Sequence, residues 1–197
     1  MLRVLVASNN PGKVKEIQDL LEGLPVEILT PKALGIELSV QEVGESYAEN
    51  AALKAMSFVK KSGVLTLADD SGLEVQALGG EPGIRSARYS PKPGASDADR
   101  RKYLLERLRA SPRPWMAQFK CVLALATDEG KIQFTTGECE GEIIPLERGT
   151  NGFGYDPIFL LSDHNLTMAE LTTQQKNKVS HRAKAVNKMI SYLEQHL

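Results

Sequence analysis

The chain has 197 residues, enough for one sizeable core or one core with a smaller lobe. With 42% hydrophobic and 25% charged residues it reads as an ordinary soluble globular protein, and 24 Lys plus Arg against 25 Asp plus Glu exclude a global positive field that would gather polymeric nucleic acid or an anionic membrane. The opening run "MLRVLVASNN" is too short and too soon interrupted for a signal peptide, and no apolar stretch approaches the length of a membrane span, so a cytoplasmic protein is expected.

In chain order, "LRVLVAS" predicts a buried strand and "SNNPGK" a loop. From Lys13, "KVKEIQDLLEGL" carries Val14, Ile17, Leu20 and Leu21 at helical spacing, with Gly23 as a stop. "VEILTPKALGIELSVQEVGE" predicts a strand followed by loop. A second helix follows, opened by Ser46 and Glu49 at capping-box spacing and closed at Gly63. "VLTLA" predicts a buried strand ending at Asp69, and the Gly- and Pro-rich stretch after it predicts irregular chain. Ser96 predicts a helix cap, with Asp99 in the first turn of a helix reaching about Arg109.

"QFKCVLALAT", "DEG" and "KIQFTTGECEGEI" predict a hairpin. The loop "ERGTNGFGYDP", a short strand "IFLL", a short helix near "MAELTTQQK" and a longer one from Ser180 to about His196 complete the chain. Cys121 and Cys139 lack CxxC spacing and read as reduced packing residues, with a cross-strand bridge left open. The mixed order of elements predicts an α/β protein with a mixed sheet.

Four stretches can carry chemistry, and each also has a plain structural reading. In "SNNPGK", Lys13 after a small polar loop can hold phosphate at a helix N-terminus, or be an exposed lysine on a turn. The loop is not a Walker A motif, because Ala7 and Val14 stand where Gly and Ser or Thr are required. Asp69 and Asp70, with Glu42 and Glu45 upstream, can hold Mg²⁺ and accept a proton from water, or form a solvated turn. "TNGFGYDPIF" offers backbone approach at Gly152 and Gly154 and ring faces at Phe153 and Tyr155, or simply core aromatics. "SHRAK" places His181 and Arg182 in a first helical turn, where cations oppose the dipole and an acceptor-rich ligand would offset them; a surface His-Arg pair is the alternative.

Taken together, "SNNPGK", "ESYAENAALKA", "ADDSGL", "GIRSARYS", "GFGYDPIF", "AELT" with Lys176, and "SHR" occur in the order found in one family. From Ser8 to Arg182 the sequence resembles the noncanonical purine nucleoside triphosphate pyrophosphatases of the inosine and xanthosine triphosphatase type. The resemblance implies an elongated mixed β-sheet flanked by helices, two lobes with a substrate cleft between them, and a homodimer. It implies that Ser8, Asn9, Asn10, Pro11, Gly12 and Lys13 surround the triphosphate, with Asn50 and Lys54 directed toward it and Ser71 touching substrate. Glu42 and Asp70 would be magnesium ligands, and Asp70 also the proton acceptor. Phe153, Gly154, Tyr155, Asp156, Lys176, His181 and Arg182 would form the nucleobase pocket. Gln41 stands where many members carry a second acid, and it cannot supply that charge. The implied reaction converts ITP, dITP or XTP to the monophosphate and pyrophosphate. The rival readings are a pyrophosphatase acting on pyrimidine or modified nucleotides and a nucleotide-binding module without hydrolysis.

Overall fold

A computed structural model describes all residues, 1–197. Seven strands form one sheet in the order β2-β1-β3-β4-β5-β6-β7: β1 Leu2–Val6, β2 Val26–Leu29, β3 Leu65–Val75, β4 Trp115–Ala126, β5 Ile132–Ile143, β6 Phe159–Leu161 and β7 Leu166–Thr167. β1 runs parallel to both β2 and β3, with Val4 opposite Ile28 on one side and Leu65 on the other. β6 is antiparallel to both β5 and β7. β4 and β5 are neighbours joined by a turn closed by Thr127 and Lys131, which realises the predicted hairpin. The sheet is therefore mixed, as expected.

Five helices accompany it: α1 Pro11–Leu20, α2 Tyr47–Ser62, α3 Asp97–Leu108, α4 Thr173–Val179 and α5 His181–Glu194. None is long and apolar enough to cross a membrane. α1 begins two residues before the predicted start, because Asn10 caps it and Pro11 is pre-set for a first helical position. α2 ends at Gly63, whose φ of 65° suits a left-handed C-cap. Its predicted capping box is half made: the Ser46 side chain accepts from Glu49 N–H, but the Glu49 carboxylate takes the N–H of Glu45 instead of Ser46. α3 has the complete box between Ser96 and Asp99.

The chain forms two compact units, Met1–Asp70 with Cys121–Gly137 and His181–Leu197, and Ser71–Lys120 with Glu138–Ser180. In the first, strand alternation sorts side chains into two clusters. Val4, Val6, Leu67, Cys121, Leu123 and Leu125 meet Ile17 and Leu21 of the α1 region and Ala185, Val186, Met189 and Leu193 of α5. Leu5, Ala7, Ala68, Ala124 and Ala126 meet Ala51, Ala55, Phe58 and Val59 of α2. The second unit has one cluster, in which Leu73, Val75, Trp115 and Phe119 pack with Leu104 and Leu108 of α3 and with Tyr155, Ile158 and Phe159. Both cysteines are buried and free.

The largest departure from expectation is β3. It was expected to end at Asp69, and instead it runs through both aspartates to Val75. Aspartate disfavours strands because its carboxylate competes for backbone donors and needs solvation. Here cationic and amide side chains satisfy both carboxylates, while Leu73 and Val75 resume packing in the second unit. β7 was not expected, and with only two residues it leaves no periodic signal.

Candidate active site

The "SNNPGK" loop joins β1 to α1. Ser8 Oγ accepts the N–H of Asn10 at 3.2 Å, and Asn10 Oδ1 accepts the N–H groups of Gly12 at 2.9 Å and Lys13 at 3.2 Å. Pro11 contributes no N–H, and Asn9, Asn10 and Pro11 are exposed. Asn10 therefore fixes the helix entry, which leaves the Lys13 ammonium as the reaching charge of this loop.

The alternation that separates Leu67 from Ala68 continues into the carboxylates. Asp70 falls on the side of α2, where Asn50 Nδ2 donates to its Oδ2 at 3.2 Å and Lys54 Nζ lies 3.4 Å from its Oδ1. The same Lys54 Nζ lies 2.8 Å from Glu42 Oε1. Asn50 is fully buried, and its Oδ1 accepts Gly44 N–H at 2.8 Å, tying the loop that carries Glu42 to the helix that carries Lys54. Burial lifts the Asp70 carboxyl above its ordinary range, and Glu42 adds to that, against the opposing pull of Lys54 and Lys13. Burial works against the Lys54 charge, but Asp69, Asp70 and Glu42 outweigh it and hold the ammonium above its usual range.

Asp69 falls on the side of α1 and α5. Its Oδ2 receives Lys13 Nζ at 2.9 Å and Arg182 Nη2 at 3.3 Å. Arg182 also pairs through Nη1 with Glu16. Burial alone would raise Asp69, yet Lys13, Arg182 and Lys54 hold it well below the usual carboxylate range. Cys121 is pushed up to about 12, first by burial and then by Asp69, so its thiol stays protonated and supplies no nucleophile.

In the second unit, Phe153, Gly154, Tyr155 and Asp156 form a tight loop before β6. Asp156 Oδ2 accepts Phe153 N–H at 2.9 Å and Lys176 Nζ at 2.6 Å, and that ammonium lies 5.1 Å from the centre of the Phe153 ring. Gly152, at a φ of 76°, leaves the space a Cβ would take from the Asp156 carboxylate. Gly154 N–H donates to Asp97, Gly154 C=O accepts from Arg101, and Tyr155 Oη donates to the Ser86 carbonyl at 2.9 Å. Ser71 is half-buried, directly after Asp70. His181 and Arg182 open α5 in the first unit, both buried, and Ser180 before them has the extended backbone of an N-cap.

The predicted residues thus gather within each unit: Ser8–Lys13, Glu42, Asn50, Lys54, Asp70, His181 and Arg182 in one, Ser71, Phe153–Asp156 and Lys176 in the other. Sequence reasoning missed Glu16, Ser86, Asp97 and Arg101. Glu16 had a signal, because it stands three residues after Lys13 on one helix, within reach of the same neighbours. For a divalent cation the oxygen donors fit: Glu42 and Asp70 already converge on one positive group, the Lys54 ammonium. Mg²⁺ is commonly held by one or two carboxylates together with substrate phosphates, and Glu42 and Asp70 match that number.

Comparison with known proteins shows the family. The model of the Ham1 family matches residues 4–192. A dITP/XTP pyrophosphatase from Synechocystis sp. is 48% identical over 96% of this chain and 94% of its own length, and one from Bacillus licheniformis is 40% identical over 99% and 100%. The solved structure of a HAM1 protein from Coxiella burnetii superposes with a TM-score of 0.89 at 39% identity, covering 99% of this chain and all of the other.

Proposed function

The chain belongs to the Ham1 family, and on that footing we propose that it hydrolyses dITP, ITP and XTP to the nucleoside monophosphate and pyrophosphate. It is a nucleoside triphosphate pyrophosphatase that removes these nucleotides from the cytoplasmic pool. The observation that carries the reading is the set of buried Asp70 and Asn50 with half-buried Lys54 and Glu42, an acid beside a cation and a second carboxylate.

Asp70 takes a proton from water as the water oxygen bonds to the α-phosphorus. The α–β bridging bond breaks, and pyrophosphate leaves. The raised pKa of Asp70 makes it a better proton acceptor than an ordinary carboxylate. Lys13 and Lys54 offset phosphate charge, and the loop from Ser8 to Lys13 orients the chain of phosphates. Glu42 and Asp70 would hold Mg²⁺, which supplies charge neutralisation at the phosphates. Ser71 touches substrate. Phe153 to Asp156 with Lys176, and separately His181 and Arg182, recognise the base. Donors at the 6-oxo edge accept hypoxanthine or xanthine, and they face another donor when the base is adenine. The active species is a homodimer.

The test is pyrophosphate release from ITP, dITP, XTP, ATP, dTTP and UTP, with Mg²⁺ and with a chelator. Hydrolysis of the first three, a preference of at least about 10²-fold over ATP, and loss of turnover without metal are expected. A preference for dTTP or UTP would replace the substrate assignment, and nucleotide binding without any pyrophosphate would remove the enzyme assignment. Gel filtration at the mass of one chain would refute the dimer.

A further inference from the structure

Asp69 is a buried charge that the reaction above does not use. It sits on a strand, 1% exposed in its side chain, and a single oxygen, Oδ2, receives both Lys13 and Arg182. Lys13 comes from α1 and carries the charge assigned to the triphosphate. Arg182 comes from α5 and belongs to the base-recognising pair. Glu16, also on α1, grips the other terminal nitrogen of Arg182.

Two cations sharing one carboxylate oxygen compete for it, so a change at one contact is felt at the other. The two are not equally free to leave. Lys13 is a point charge on a flexible stem, 17% exposed in its side chain, whereas Arg182 is a planar fork, 2% exposed and held on both terminal nitrogens. Asp69 cannot follow a departing lysine, because its backbone is fixed in β3. If Lys13 turns toward a phosphate oxygen, Asp69 keeps Arg182 as its direct partner. A buried carboxylate that has lost the Lys13 contact depends more on its ion pair with Arg182, which tightens the hold on that cation.

From this geometry we infer that Asp69 is a positioning residue that couples triphosphate binding to base selection, by passing the engagement of Lys13 to the orientation of Arg182. The inference rests on the proposed function for the parts played by Lys13 and Arg182. It assigns the first of the two adjacent aspartates a task distinct from that of Asp70. Base selectivity then depends on a lysine that contacts no base.

Calorimetric titration of the α,β-methylene analogues of ITP and ATP, which cannot release pyrophosphate, and of IMP and AMP, which lack the phosphates that would draw Lys13 away, tests this on the full chain. The readout is base selectivity, the dissociation constant of the adenine ligand divided by that of the hypoxanthine ligand, for the triphosphate pair and for the monophosphate pair in wild type, Lys13→Met, Arg182→Lys and Asp69→Asn. In wild type the triphosphate pair is expected to show a selectivity about fivefold above that of the monophosphate pair. In Lys13→Met the two selectivities should coincide, and in Arg182→Lys and Asp69→Asn they should coincide at a lowered value. If the two selectivities are equal in wild type, or if they still differ in Lys13→Met, the coupling does not exist. Should Asp69→Asn fail to melt cooperatively, the lysine and arginine variants still decide the matter.

The two readings fail separately. Coupling without pyrophosphate release from ITP would sink only the catalytic assignment, and release without coupling would sink only this inference. Failure to bind either analogue would remove both.

Discussion

Replacing Asp70 with Asn is expected to lower kcat on ITP by about 10²–10⁴-fold, the usual contribution of a positioned general base. KM should change far less. The substitution is nearly isosteric, and the new amide can still present an oxygen to Asn50 Nδ2, so the tie between β3 and α2 is kept. What is lost is the negative charge beside Lys54 and the proton acceptor itself. Steady-state pyrophosphate release, with thermal melting as the control for folding, reads this directly. Turnover near the wild-type rate in a folded variant would remove Asp70 from the base role, whatever its part in holding a cation.

The largest effect on stability is expected from Lys176→Met. Lys176 and Asp156 form an ion pair at 2.6 Å, with side chains 7% and 5% exposed. Removing the lysine strands a carboxylate away from water, which costs about 3–5 kcal/mol when one partner of a buried pair is deleted. The same carboxylate holds Phe153 N–H, so the loop from Phe153 to Asp156 should loosen with it. The double variant Lys176→Met/Asp156→Asn is expected to recover a large part of the loss, because it removes the stranded charge as well. Urea unfolding of the single and double variants measures both quantities. Equal destabilisation in the two would mean that packing, and not charge, holds this loop.

Much of the frame was legible because its signals are local. Ser46 and Gly63 mark the ends of α2 by side-chain capping and a left-handed backbone, neither of which needs distant partners. Asn10 and Pro11 mark α1 in the same way, although apolar spacing alone placed its start at Lys13. The far half of β3 was not legible. Whether "DDSG" is turn or strand depends on whether something non-local satisfies the carboxylates, and those partners lie on α1, α2 and α5. That adjacent aspartates point to opposite faces follows from strand period. Which helix waits on each face does not, because it is set by how Leu67 and Ala68 are packed. The aromatic loop showed its glycines and rings in sequence, but not that Asp97 and Arg101 of α3 hold Gly154 by its N–H and C=O.

The alternation of β3 also sets a rule for length changes. Deleting one residue between Leu65 and Ala68 would turn every later side chain over: Asp70 would face Lys13 and Arg182, and Ser71 would arrive where Lys54 now meets a carboxylate. A paired deletion or insertion restores the facing of each side chain. Across a library of length variants in this segment, survival should therefore depend on whether the change is odd or even, with activity lost first at odd steps.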